Sequence, residues 1–198
     1  MRTLRIVLWA LVLVAGAILA IFLLTPRPDS SSQGNAIELA GFGGPFTLVG
    51  ADGKAFSSSR LNGRPHALFF GFTHCPDVCP TTLARLVRLR EQLGKGAGTF
   101  DVVFVTVDPE RDGPAEVGKY AELFGSPVIG LTGSPAQIAQ VKKQFGIYSR
   151  KVPDSSGNYS VDHTATVLLF GRDGKFVATI SPDEPDSAAL AKLKRISA

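Results

Sequence analysis

The chain is poor in the residue types from which metal and redox sites are usually built. Its 198 residues include two cysteines, Cys75 and Cys79, three histidines, His66, His74 and His163, and a single methionine, Met1. One methionine excludes a metal site assembled from several thioethers. Neither cysteine directly follows the apolar N-terminal run, so no lipid-bearing cysteine stands behind it. Charge of one sign is scarce as well. The formal net charge of +4 includes Arg2 and Arg5, and setting those two aside leaves +2, too even a balance for a nucleic-acid partner. No internal repeat is evident. The length and the 44% hydrophobic content support one core-forming domain plus an appendage.

The appendage is N-terminal. Ile6 to Leu24 holds no charged residue, and at 1.5 Å per residue this run spans roughly 28 Å, close to the hydrocarbon thickness of a bilayer. A cleaved signal peptide would have a shorter apolar region and a small-residue cleavage site, whereas this run ends in Leu23-Leu24-Thr25-Pro26. Residues 1–25 are therefore expected to form a single-pass transmembrane anchor. Arg2 and Arg5 precede the run and only Arg27 closely follows it, so the positive-inside rule keeps the N-terminus in the cytoplasm and exports the rest. The expected location is the cytoplasmic (inner) membrane, with the soluble domain on the periplasmic or extracytoplasmic side. Residues 26–42, rich in Pro, Ser and Gly, read as a flexible linker, and residues 43–198 as the domain.

Within that domain, apolar strand-like runs alternate with helix-like segments, which implies an α/β fold around a largely buried sheet. Strands are expected at His66–Phe72, Val102–Val107 and Val128–Leu131, and a hairpin from Thr164–Phe170 to Lys175–Ile180 about Asp173-Gly174. Helices are expected over Pro80–Leu93, Pro114–Phe124, Ser134 to Phe145 and Asp186–Ile196, the third opened by the capping-box pattern Ser134-Pro135-Ala136-Gln137. Strand, helix, strand, helix, then a β-hairpin and a closing helix is the order of a thioredoxin-like fold.

The chemistry concentrates at the first strand-to-helix junction. Three residues separate Cys75 from Cys79, with Pro76 and Pro80 beside them, so about one turn of chain brings both sulfurs to one side, suited to a shared ligand or a disulfide. A helix N-terminus next to them stabilises thiolate. A purely structural disulfide would close only a short loop and constrain the unfolded chain little. Two thiolates make an incomplete metal site, and the third ligand has to come from the three histidines. His66 lies a strand's length away, and His74 should point to the other side of an extended backbone. His163, before the Thr164 strand and next to Asp162, is favoured, with a surface histidine as the competing reading. Thiolates select Cu(I) or zinc. Zinc usually takes four ligands, so three candidates favour copper, and Asp162 as a fourth would favour zinc. The segment Asp108-Pro109-Glu110-Arg111-Asp112 follows a strand end, where α/β proteins build sites, although its spacing alone reads better as a solvated turn.

Three segments in this order, Gly71-Phe72-Thr73-His74-Cys75-Pro76-Asp77-Val78-Cys79-Pro80, Val107-Asp108-Pro109-Glu110-Arg111-Asp112 and Tyr159-Ser160-Val161-Asp162-His163-Thr164, resemble the SCO/SenC proteins, copper-binding assembly factors of cytochrome c oxidase. The resemblance runs from about Gly43 to the last helix. It implies Cys75, Cys79 and His163 as copper ligands and makes the 108–112 segment a signature near the site without a ligand role. It also implies a copper metallochaperone with no catalytic residue, serving the copper-accepting subunit of cytochrome c oxidase at its dinuclear copper centre. The competing expectation is a membrane-anchored thiol-disulfide oxidoreductase or redox sensor in which the two cysteines cycle and His163 moves a proton. In an oxidising exported compartment, either role calls for an exported thiol reductase as a further partner.

Overall fold

The computed structural model describes Trp9 and residues 42–94, 99–155 and 157–197. Apart from Trp9, the segment expected to cross the membrane lies outside these residues, and none of the described helices is long and apolar enough to do so.

The centre of the molecule is built from strands whose sequences are apolar on both faces. β3 (His66–Gly71, HALFFG) is buried at every position. β4 (Asp101–Thr106, DVVFVT) is buried from its second residue onward. Strands without alternation need cover on both sides, which is why they lie inside a sheet with helices packed on it. Residues such as Phe69 and Phe104, both fully buried, each contribute about 1.5–3 kcal/mol relative to exposure.

The remaining strands are β1 (Thr47–Gly50), β2 (Ala55–Ser57), β5 (Ile129–Thr132), β6 (Ser149–Pro153), β7 (Tyr159–His163), β8 (Val167–Phe170) and β9 (Phe176–Ile180). Seven of them form one sheet in the order β2-β1-β5-β4-β3-β8-β9. β3, β4 and β5 run parallel, with Phe69 opposite Phe104 and Val105 opposite Leu131. β8 joins β3 antiparallel and continues to β9 through the Asp173-Gly174 turn, where Gly174 takes a φ of 73° that a side chain would strain. β6 and β7 make a separate two-stranded ribbon that pairs with no strand of the main sheet.

The helices are α1 (Val78–Gln92), α2 (Pro114–Glu122), α3 (Pro135–Gln144) and α4 (Asp186–Ser197). α3 starts as its sequence specifies: Ser134 Oγ accepts from Gln137 N–H, and the Gln137 side chain accepts from Ser134 N–H. α1 packs with α4 and over β4, while α2 lies on β5 and β1.

The architecture is the thioredoxin-like α/β arrangement expected, with three local differences. α1 begins at Val78, two residues before the expected start, which puts Cys79 in its first turn. Thr164 belongs to no strand, and the chain ahead of it, where no strand is expected, forms the β6–β7 ribbon. β1 and β2 were not expected, because strands of four and three residues carry too little alternation to register.

Candidate metal centre

β3 and β4 both end at the same edge of the sheet, and the loops leaving their carboxyl ends build the site, as open α/β sheets generally do. After β3 the chain runs through Phe72–Asp77 into α1. Asp77, the residue before α1, makes no side-chain cap. Cys75 does that work: its Sγ accepts the backbone N–H of Cys79 at 3.4 Å. Unpaired N–H groups at a helix start stabilise negative charge there.

Both cysteines are buried and reduced. The Cys75 thiol is held down to about 4, chiefly by the hydrogen bond from the Cys79 thiol, which outweighs the opposing effect of burial, with further help from His163 and from the N–H groups of Asp77 and Cys79. Cys79 moves far the other way, because it is the donor to Cys75 and is buried. The pair therefore shares one proton, which rests on Cys79, while Cys75 is the thiolate.

His163 arrives from the other side on the last residue of β7. Its Nδ1 lies 3.0 Å from the Thr164 carbonyl, which can only accept, so Nδ1 carries a proton. Nε2 faces Cys79 Sγ at 3.4 Å. Phe69 and Phe72 close on the ring edge-to-face, with centroids 6.2 and 5.8 Å away. The ligand atoms of Cys75, Cys79 and His163 all lie within 4.8 Å of one another. Two sulfurs, one imidazole nitrogen and an apolar wall thus converge on one point.

The other histidines stand apart from this trio. His66 opens β3 at its far end, stacked on Phe170 at 4.9 Å with Nδ1 against the Arg64 carbonyl, and burial pushes its pKa down. His74 is exposed, its Nδ1 3.1 Å from Thr73 Oγ1 and 3.6 Å from Asp112 Oδ1. Asp162 precedes His163 on a strand, so it points to the opposite face. There it pairs with Arg150 at 3.0 Å, and it is absent from the cluster, so it does not supply the fourth ligand that zinc would favour.

The solvated-turn reading of 108–112 is overturned. Asp108 and Asp112 are 1% and 0% exposed, and neither belongs to the ligand cluster. Asp112 accepts from Thr73 N–H, Thr73 Oγ1 and Thr106 Oγ1, which fastens the loop leading to Cys75. Asp108 accepts from Arg111 Nε and from the Tyr159 hydroxyl. Four charges in five residues look solvated by composition, but this segment directly follows a buried strand, and that position was the available signal. In the sequence Gly71 carries no signal beyond its place in the motif. A Cβ there would lie 2.7 Å from Cys79 Sγ, so its missing side chain is what makes room for the thiol.

Fold and site together define a thioredoxin-like domain with a Cys-Cys-His cluster at the start of its first helix. Residues 34–198 match the SCO1/SenC family model, and the chain belongs to that family. Protein SCO1 homolog 1, mitochondrial, of Arabidopsis thaliana is 38% identical over 146 residues, 73% of this chain and 44% of that protein, so the chain spans less than half of that relative's length. The copper-bound structure of Bradyrhizobium japonicum ScoI is 43% identical with a TM-score of 0.71, over 78% of this chain and 99% of that one. BsSco, described as a Sco-family cytochrome c oxidase assembly protein with a disulfide switch, is 28% identical with a TM-score of 0.61, over 78% and 92%.

Proposed function

We propose that this protein is a copper metallochaperone that holds copper on Cys75, Cys79 and His163 and passes it to the copper-accepting subunit of cytochrome c oxidase. The observation that carries this reading is the convergence of the three ligand atoms within 4.8 Å. The donor set fits copper. Two sulfurs suit a soft ion and the imidazole suits Cu(II) as well, while no fourth His, Cys, Asp or Glu among the described residues joins the cluster as a closed zinc site would need. Copper needs both sulfurs deprotonated. Cys75 already is, so loading releases the one proton left on Cys79. The role is binding and hand-over, not enzymatic turnover. The apolar run from Ile6 to Leu24, with Arg2 and Arg5 before it, supports anchorage in the cytoplasmic membrane with the domain outside.

A specific observation keeps a second reading in play: Cys75 is a low-pKa thiolate beside a protonated thiol, the arrangement that attacks disulfides. In that reading Cys75 and Cys79 transfer two electrons to a disulfide in the oxidase subunit and become a disulfide themselves, while the proton of Cys79 and one from solvent protonate the two released thiols. An exported thiol reductase restores them. His163→Ala separates the two. As a ligand, His163 is required for the visible absorption of the Cu(II)-loaded protein and for full Cu(II) affinity, while Cu(I) persists on two thiolates. An unchanged thiolate-to-copper band together with slowed disulfide exchange rejects the chaperone role for His163 and favours the oxidoreductase.

A further inference from the structure

His163 stands on the β6–β7 ribbon, which shares no backbone ladder with the main sheet. Its distance from the two cysteines is therefore set by the short chain connections to β8 and α3 and by side-chain fastenings. At the His163 end, Lys142 Nζ donates to Ser149 Oγ at 2.7 Å, and Val161 is buried in the core. At the other end, the fastening comes from the loop after β4. Arg111 donates from Nε to Asp108 Oδ2 and from Nη1 to the Tyr159 carbonyl at 2.9 Å and Asn158 Oδ1 at 3.3 Å. Its guanidinium lies 3.8 Å from the Tyr159 ring centroid, and the Tyr159 hydroxyl returns to Asp108 Oδ1 at 2.9 Å. One residue further along, Asp112 grips Thr73 ahead of Cys75.

We infer that Arg111, closed on Tyr159 and Asp108, is the positioning residue that fixes His163 against the cysteine pair, so that one loop registers both halves of the copper site. This rests on the ligand reading above. The guanidinium suits the task because it bonds a carboxylate, bonds a carbonyl and stacks on a ring at once, which a lysine ammonium cannot reproduce. Arg111 is also 5.8 Å from the Phe72 ring, the ring that packs edge-on against His163. A loosened clamp frees the ribbon and, through Phe72, the imidazole. The sulfurs, held by α1 and by Asp112, stay in place.

The test uses the full-length chain in detergent, reduced, with Cu(I) and Cu(II) affinities from chelator competition, the visible thiolate-to-Cu(II) band, and apo-protein melting. Arg111→Lys and Tyr159→Phe, the latter removing only the hydroxyl, are compared with His163→Ala. A clamp predicts that both variants lose Cu(II) affinity by about 10–100-fold, the range for residues that orient ligands, with a shifted band and Cu(I) affinity nearly unchanged. Adding Arg111→Lys to His163→Ala should cost no more Cu(II) affinity, because both act through one imidazole. Wild-type Cu(II) affinity and band in both clamp variants overturn the inference. So do equal losses for Cu(I) and Cu(II) that add to those of His163→Ala, the signature of general destabilisation. If His163→Ala itself leaves Cu(II) binding intact, the ligand assignment falls, and the clamp with it.

Discussion

Gly71→Ala places one methyl group under the Cys79 sulfur. Gly71 ends β3, and its φ is not positive, so the backbone admits alanine. The space does not. The new Cβ would lie 2.7 Å from Cys79 Sγ, 3.0 Å from Phe104 Cε2 and 3.2 Å from Phe69 Cε1, where ordinary contact begins at 3.4 Å, so the sulfur must retreat by about 0.7 Å. Phe69 and Phe104 are both fully buried and cannot yield to one side. Overpacking of this kind costs about 1–3 kcal/mol, and for a domain of this size each kcal/mol lowers the melting temperature by roughly 2–4 °C. The sulfur's displacement exceeds the roughly 0.2 Å that metal–ligand distances tolerate, so Cu(I) affinity should fall by at least about tenfold. Gly130→Ala is the control, since its Cβ would meet the Val117 carbonyl at 2.6 Å, on β5 and away from the thiols. Melting of the reduced apo-protein and chelator competition should show both variants destabilised, with only Gly71→Ala impaired in copper. Wild-type copper affinity in Gly71→Ala, or an equal copper defect in Gly130→Ala, refutes the steric argument.

Cys75→Ser and Cys79→Ser should each abolish high-affinity Cu(I) binding without unfolding the chain, because one thiolate and one imidazole coordinate a soft ion poorly; unchanged chelator competition in either variant removes it as a ligand. In the reduced apo-protein a single thiol, Cys75, should alkylate at pH 6. Its pKa is lowered to about 4, so its thiolate is present above that pH and is lost as pH falls through it; peptide mapping that finds Cys79 modified first, or a rate that titrates near the ordinary thiol pKa, counts against the shared proton. A fragment of residues 43–198 should be soluble and folded by circular dichroism, and aggregation of that fragment beside a folded full-length protein in detergent would move the boundary of the domain.

The sequence was most legible where one signal had one physical meaning. Continuous apolar runs gave β3 and β4, the Ser134-to-Gln137 box gave the start of α3, and Asp173-Gly174 gave the β8–β9 turn. The three residues that cluster were all named, yet their convergence was beyond spacing arguments, since His163 is 84 positions from Cys79 and arrives on a ribbon too polar to announce itself. The start of α1 was placed late because Pro80 looks like a first-turn proline, whereas the turn closed by Cys75 Sγ and Cys79 N–H begins ahead of it. The burial of Asp108 and Asp112 is hidden for a related reason. Composition weighs a charge as solvated, while a carboxylate given several donors can be fully buried, and those donors, Thr73, Thr106, Arg111 and Tyr159, come from four separate places in the chain.

The same two sulfurs cannot serve copper and a disulfide at once, and the fold biases the choice. A bridge between Cys75 and Cys79 would close a very short loop, so it gains little from restricting the unfolded chain. Its equilibrium is then governed by how well the reduced form is stabilised, and a stabilised thiolate makes a disulfide more oxidising and easier to reduce. Cys75 is stabilised in that way, by the Cys79 thiol, by His163 and by the first N–H groups of α1. Burial of Cys79 works against its ionisation but not against the dithiol state, in which it keeps its proton. Under the proposed ligation copper would take the place of that proton, and the cation would compensate the two adjacent thiolates. The arrangement therefore resists full ionisation without a metal, and under the proposed ligation it would accept it with one.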